Sequence, residues 1–289
     1  MILVVILALI SHVSYALNDM SGAMASRKFD GKAMSLMSWM VGAVLYTVMA
    51  PFLITNTFYL WPTVVAGFTG VWFAIAYPIF LKALEKGNAT LVGVIAGTFP
   101  LWTVVFSLLL YGEKLTSTES VVIGIIMIGI VLSALHLTTK TRLHNLLNKH
   151  TFLALIVSLM WGFGFAIIKY PTERIGWFNT SFMNSMLGAL TSMIWLYPAC
   201  RGKVKAIFKK YKAYPIVNSA TGTAGTLAYT YALTRGNASL VAPIAGSYSG
   251  LFAVLSYLVF KEKLTRIQTL GVLIILGGVI SLSVIVSRS

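Results

Sequence analysis

The sequence predicts an all-α integral membrane protein: ten transmembrane helices, arranged as two inverted five-helix repeats around a central cavity. Three observations lead there. Hydrophobic residues make up 58% of the 289 positions and charged residues only 10%, with a mean hydropathy of +0.86. Soluble domains carry about 25% charged residues, so too few charges remain to coat a globule of this size. Ten apolar runs approach the roughly 20 residues that a bilayer core needs. Finally, residues 87–130 recur as 236–279 at a constant offset of 149.

The ten runs are 2–20, 34–54, 62–84, 88–111, 118–137, 151–170, 177–199, 213–234, 238–260 and 266–286. The first lacks a basic leader and is longer than the apolar core of a signal peptide, so it reads as a span. The polar stretch 138–150, with Lys140, Arg142, His144, Lys149 and His150, divides a first repeat (1–137) from a second (151–289). Five spans per half is an odd number, so the second half enters from the opposite side and the repeats are inverted.

The doubled segment supplies its own punctuation. Gly87-Asn88-Ala89-Thr90-Leu91-Val92 returns as Gly236-Asn237-Ala238-Ser239-Leu240-Val241, and Glu113-Lys114-Leu115-Thr116 as Glu262-Lys263-Leu264-Thr265. Thr116-x-x-Glu119 and Thr265-x-x-Gln268 predict capping boxes opening the fifth and tenth spans. Asn88 and Asn237 suit the N-caps of the fourth and ninth. Both Asn-Ala-Thr/Ser triplets also match the glycosylation sequon. Inversion puts them on opposite sides of the membrane, which favours capping.

The net charge of +15 comes from basic residues set between apolar runs. They form no basic helical face and no base-stacking module, so the expected partner is the lipid bilayer and not nucleic acid. Seventeen of the 22 Lys and Arg lie in odd-numbered connections. That bias puts these connections in the cytoplasm and both termini outside. Cys200 is the only cysteine, which excludes an intrachain disulfide and a cysteine-based metal site. No His-Glu-x-x-His, P-loop or Ser/His/Asp set appears in the spans, so neither an enzyme, a cofactor nor a metal is expected.

Polar groups inside a span are costly and point to function. The first span carries Ser11, His12, Ser14, Tyr15, Asn18 and Asp19, with His12, Tyr15 and Asp19 on one face. That face is the predicted cavity wall. Asp19 is the one carboxylate placed within a span; an interfacial role balancing Arg27 or Lys28 is the preferred reading over ion coupling. Lys169 is expected to snorkel to the surface. The fourth and ninth spans carry matched irregularities, Gly93/Gly97/Pro100 and Pro243/Gly246/Gly250. Such paired breaks point to a transport site, here beside Thr98 and Trp102 and beside Ser247 and Tyr248. Trp72, Tyr77, Trp161 and Tyr229 are mid-span aromatics available to stack on a solute or pair with a cation. The candidate substrate-binding set is therefore His12, Tyr15, Asp19, Trp72, Tyr77, Thr98, Trp102, Trp161, Tyr229, Ser247 and Tyr248.

The order of elements resembles the EamA family of the drug/metabolite transporter superfamily. The resemblance is carried by Ala83-Leu84-Glu85-Lys86-Gly87-Asn88-Ala89-Thr90, Gly97-Thr98-Phe99-Pro100-Leu101-Trp102 and Gly112-Glu113-Lys114-Leu115-Thr116. Their second copies and Trp161-Gly162-Phe163-Gly164-Phe165 complete it. It implies a cavity lined by spans 1, 3, 4, 6, 8 and 9, with spans 5 and 10 peripheral, and transport of small metabolites such as amino acids, often outward. Two features depart from the family pattern: Ser11-His12-Val13-Ser14-Tyr15 opens the first repeat in place of a Trp-Gly pair, and the charges argue against cytoplasmic termini. With few buried carboxylates, facilitated diffusion or solute exchange is expected before proton coupling. A neutral or zwitterionic small-molecule substrate fits the predicted lining. Gly124/Gly129 and Gly271/Gly277/Gly278 leave room for a homodimer through spans 5 and 10.

Overall fold

The computed structural model describes residues 1–87, 89–134, 148–261 and 263–288, and every regular element among them is a helix. In chain order these are α1 (Ile2–Ser26), α2 (Gly31–Leu53), α3 (Leu60–Lys86), α4 (Ala89–Ala96), α5 (Phe99–Tyr111), α6 (Ser117–Ala134) and α7 (Lys149–Ile167). Then follow α8 (Lys169–Ile175), α9 (Trp177–Cys200), α10 (Val204–Tyr211), α11 (Ala213–Leu233), α12 (Ala238–Gly246), α13 (Tyr248–Phe260) and α14 (Arg266–Arg288). The fourth and ninth spans are each a broken pair, α4/α5 and α12/α13. The sixth is α7 continued by α8.

Seven helical stretches are long and apolar enough to cross a membrane, and Ser117–Ser133 is a shorter apolar helix. Neither α9 nor α11 is among the seven. Each buries polar side chains, Asn179, Thr180, Ser181, Asn184 and Ser185 in α9 and Asn218, Ser219, Thr223 and Thr230 in α11. A helix that turns hydroxyls and amides inward loses mean hydropathy without exposing polarity to lipid.

Both capping boxes form. Thr116 N–H donates to Glu119 Oε2 at 2.7 Å while Glu119 N–H donates to Thr116 Oγ1 at 3.3 Å. Thr265 N–H reaches Gln268 Oε1 at 2.9 Å and Gln268 N–H reaches Thr265 Oγ1 at 3.2 Å. Asn88 lies outside the described residues, as does most of the 138–150 connection. Asn237 occupies the N-cap of α12, but its side chain makes no capping bond. The carboxylate of Glu113 accepts from Ala238 N–H at 3.0 Å and Ser239 N–H at 2.8 Å instead. A charged acceptor at a helix N-terminus makes stronger bonds than a neutral amide, which explains the substitution of one cap by another.

Packing between the halves comes in exchanged pairs. Helix α1 lies on α11 as α3 lies on α7, α2 on α11 as α3 on α9, and α4 on α13 as α5 on α12. The matched breaks repeat this to the residue. A Cβ on Gly97 would meet Ser249 Cβ at 2.4 Å; on Gly246, the counterpart of Gly97, it would meet Pro100 Cγ, in the counterpart of Ser249, at 2.2 Å. The equivalent helices α6 and α14 pack together at the periphery. Gly129 faces Ile275, Gly271 faces Ser133 and Gly278 faces Ile126, so residue numbers rise on one helix as they fall on the other and the two run antiparallel. Three of the five glycines considered for a dimer seam are thus packed within the chain, whereas Gly124 and Gly277 face open space.

The short helix α10, in a stretch where the sequence indicated only a connection, rests Val204 and Ile207 on Ala33, Leu36, Met37, Leu196 and Cys200. Cys200 is 1% exposed, so its thiol is covered by this cluster despite its place at a basic connection.

Candidate functional site

Where the halves meet, near the middle of the long helices, they line a partly open cavity of about 160 Å³. By the roughly 10–15 Å³ that each enclosed water needs, it has room for about ten. The first half contributes Tyr15, Asn18 and Asp19 from α1, Ser38, Trp39, Gly42 and Tyr46 from α2, and Phe73 and Tyr77 from α3. The second contributes Trp161 and Phe165 from α7 with Ile168 beyond it, and Asn184 and Ser185 from α9. It adds Asn218, Ser219, Gly222, Thr223, Thr226 and Tyr229 from α11, and Tyr248 from α13.

Six of the eleven candidate residues line this space: Tyr15, Asp19, Tyr77, Trp161, Tyr229 and Tyr248. Asp19 is 4% exposed and accepts a 2.7 Å hydrogen bond from the Tyr248 hydroxyl. This corrects its expected interfacial place. The α1 face that carries it turns into the bundle because Tyr15 packs on Gly225 and Asn18 on Gly222, two glycines that let α11 approach closely. Tyr15 donates to Thr226 Oγ1 at 3.3 Å and Tyr229 to the Phe165 carbonyl at 3.1 Å.

The other five lie away from the cavity, each held by a specific contact. Trp72 donates Nε1–H to the Met160 carbonyl at 2.7 Å, bonding α3 to α7. Trp102 sits against Gly162. Thr98, Ser247 and His12 serve the helix breaks. At each break a carbonyl, Ile95 and its counterpart Ile244, accepts from a side-chain hydroxyl: Thr98 and Ser247 each donate to it at 2.8 Å, and Thr98 N–H also reaches Ile95 at 3.1 Å. Thr98 Oγ1 also meets Ser158 Oγ at 2.7 Å, while His12 Nδ1 donates to the Ile244 carbonyl at 3.1 Å. Side-chain hydroxyls and the His12 ring thus supply bonds to the backbone at the breaks, as buried carbonyls require.

Helices α2 and α9, the second and seventh of the expected spans, line the cavity through Trp39, Tyr46, Asn184 and Ser185, and α4 and α5 do not. The resemblance had implied span 4 and neither of the other two. A signal for α9 and α11 was present in the sequence: Asn184, Asn218, Ser219 and Thr223 are polar residues inside apolar runs, the feature that singled out α1.

Side-chain bonds bridge the helices around and beside the cavity. Toward the C-terminal end of α1, Asn18 Nδ2 donates to the Asn218 carbonyl at 2.7 Å, and Asn218 Nδ2 donates to the Asn18 carbonyl at 2.6 Å and to the Tyr77 hydroxyl at 2.7 Å. Ser219 Oγ donates to the Ser38 carbonyl at 2.7 Å. Toward the other end, Ser181 and Thr230 hydroxyls meet at 3.0 Å, and the rings of Trp177 and Tyr231 stack at 5.2 Å. Nearby, Lys169 pairs with Glu113 and lies 3.5 Å from Glu173. Lys169 is 6% exposed, so it is buried and paired and does not snorkel. Burial acts to raise the Glu113 carboxyl, but hydrogen bonds from Lys169 and Ser239, together with the Lys169 charge, hold it below its usual range.

The comparisons agree with this architecture. The EamA-like transporter family matches residues 2–135 and again 148–284. An uncharacterized protein of Methanocaldococcus jannaschii is 31% identical over 135 residues, a stretch that is 46% of this chain but 94% of that protein. A solved crystal structure, 13% identical, superposes on 99% of this chain and 97% of its own with a TM-score of 0.74, a likeness of fold. Matched along both halves and built of several membrane-crossing helices, this multi-pass membrane protein belongs to the EamA-like transporter family.

Proposed function

We propose that the chain is a secondary transporter that moves a small metabolite of amino-acid size by alternating access. In this reading ten spans form two inverted five-helix repeats, with the solute site between them and the basic odd-numbered connections in the cytoplasm. The observation that carries it is a solute-sized cavity lined by both halves, at the place where their contacts exchange pairwise. The antiparallel packing of α6 on its counterpart α14 supports inversion. Two bundles rocking about such a site need no covalent step; the difference in solute affinity between outward- and inward-facing states sets the cycle.

A second reading, proton-coupled exchange, is favoured by one observation: Asp19 faces the cavity. Both readings are tested by counterflow in liposomes. A carrier gives saturable uptake of labelled solute that speeds up when unlabelled solute is loaded inside. Uptake that rises linearly and ignores the internal solute contradicts it and indicates a channel. An imposed pH gradient that drives accumulation selects the coupled form, and one without effect selects facilitated exchange.

A further inference from the structure

We infer that the solute held in this cavity carries a protonated amine or comparable organic cation, seated on the Asp19 carboxylate among aromatic rings. Its purpose rests on the transporter reading; its content rests on the chemistry of the lining. Asp19 is the one carboxylate among the described lining residues, and no lysine, arginine or histidine is among them. The lining of the cavity therefore has a formal charge of −1 whenever that group is ionised.

A carboxylate taken out of water needs more than one neutral hydroxyl to offset the lost hydration, and among the described residues Asp19 accepts from the Tyr248 hydroxyl alone. A cation brought to the same place supplies what is missing. The rings extend that attraction. The Tyr248 ring lies 5.8 Å from Tyr15, Tyr15 lies 5.6 Å from Phe165, and Phe165 lies 5.0 Å from Tyr229. They form a continuous aromatic wall leading away from Asp19, and faces of such rings draw an ammonium group, more strongly when both are desolvated. A zwitterion fares worse, because its own carboxylate would enter beside Asp19 with no basic side chain to meet it.

The test uses the purified wild-type protein and three probes of nearly equal size: phenethylammonium, the neutral 2-phenylethanol and zwitterionic phenylalanine. Affinities are read from tryptophan fluorescence. Phenethylammonium is expected to bind at least tenfold more tightly than either of the others, and Asp19→Asn to abolish the preference. Absence of amine binding to folded wild type, binding of the alcohol or amino acid as tight as the amine, or a preference that survives Asp19→Asn would each overturn the inference. The wild-type series decides the matter if the variant does not fold. Liposome counterflow separates the two claims. A solute exchanged equally well by Asp19→Asn leaves the transporter standing and removes the cation; amine selectivity without counterflow of the amine does the reverse.

Discussion

Lys169 lies on the first turn of α8, where a cation in a membrane span ordinarily extends toward water. It turns inward because Glu113, which follows α5, already caps the N-terminus of α12 and presents a carboxylate to it. One side chain thus joins the connection after α5 to two elements of the other half. Replacing Glu113 by Gln leaves a buried ammonium without its main counter-charge, a loss of about 3–5 kcal/mol for such pairs, so E113Q should melt well below wild type. The pairing also sets a pH dependence. Glu113 titrates below its usual 4.5 in the folded chain, so the stabilisation is complete above that value and disappears as pH falls through the lowered one. Thermal melts on acidification should show wild type losing stability across that window and E113Q losing less. A melt of E113Q identical to wild type at neutral pH would contradict the role of the pair. The Lys169 pairing was not legible in the sequence because its partner is 56 residues away. Asp19 was visible as an intramembrane carboxylate, but only the approach of α11 through Gly222 and Gly225 decides that its face turns inward.

At the scale of elements, the broken spans show how small residues are used. Gly97 and Gly246 sit against Ser249 and Pro100 so closely that an added methyl would overlap them, whereas Gly124 has nothing within 4 Å. Gly97→Ala and Gly246→Ala are expected to destabilise by about 1–3 kcal/mol each through overpacking. Gly124→Ala should be neutral or stabilising by up to about 1 kcal/mol, from helix propensity. Chemical denaturation in detergent checks all three, and equal effects would refute the packing account. The breaks and capping boxes were readable because they are local in sequence: Gly97-Thr98 recurs as Gly246-Ser247, and Thr-x-x-Glu/Gln sits at each peripheral helix start. The roles of Thr98 and Ser247 were not, since a hydroxyl beside a break serves a backbone carbonyl or a solute equally well on paper. Here both serve the carbonyl.

Across the whole molecule, the repeat offset announced the two-part plan and its central space, and composition announced the membrane. What the pattern left open was which faces meet. Helices α2 and α9 contribute Trp39, Tyr46, Asn184 and Ser185 to the cavity, yet each carries polar residues at several angles around its axis, so no single stripe marks the inward side. The pairwise exchange of contacts matches α1 with α7, α2 with α9 and α3 with α11 around the cavity, whereas Tyr248 of α13 has no lining counterpart on α5.

The most direct measurement is access to the cavity from each face of the membrane. Thr223 lines it and makes no side-chain hydrogen bond among the described residues; placed as Thr223→Cys in a Cys200→Ser background, it provides a single thiol at the site. In sealed liposomes, a small charged methanethiosulfonate added on either side is expected to modify this cysteine, and bound solute to slow both reactions. Modification from one side alone, or from neither, would contradict a solute site that opens alternately to the two compartments.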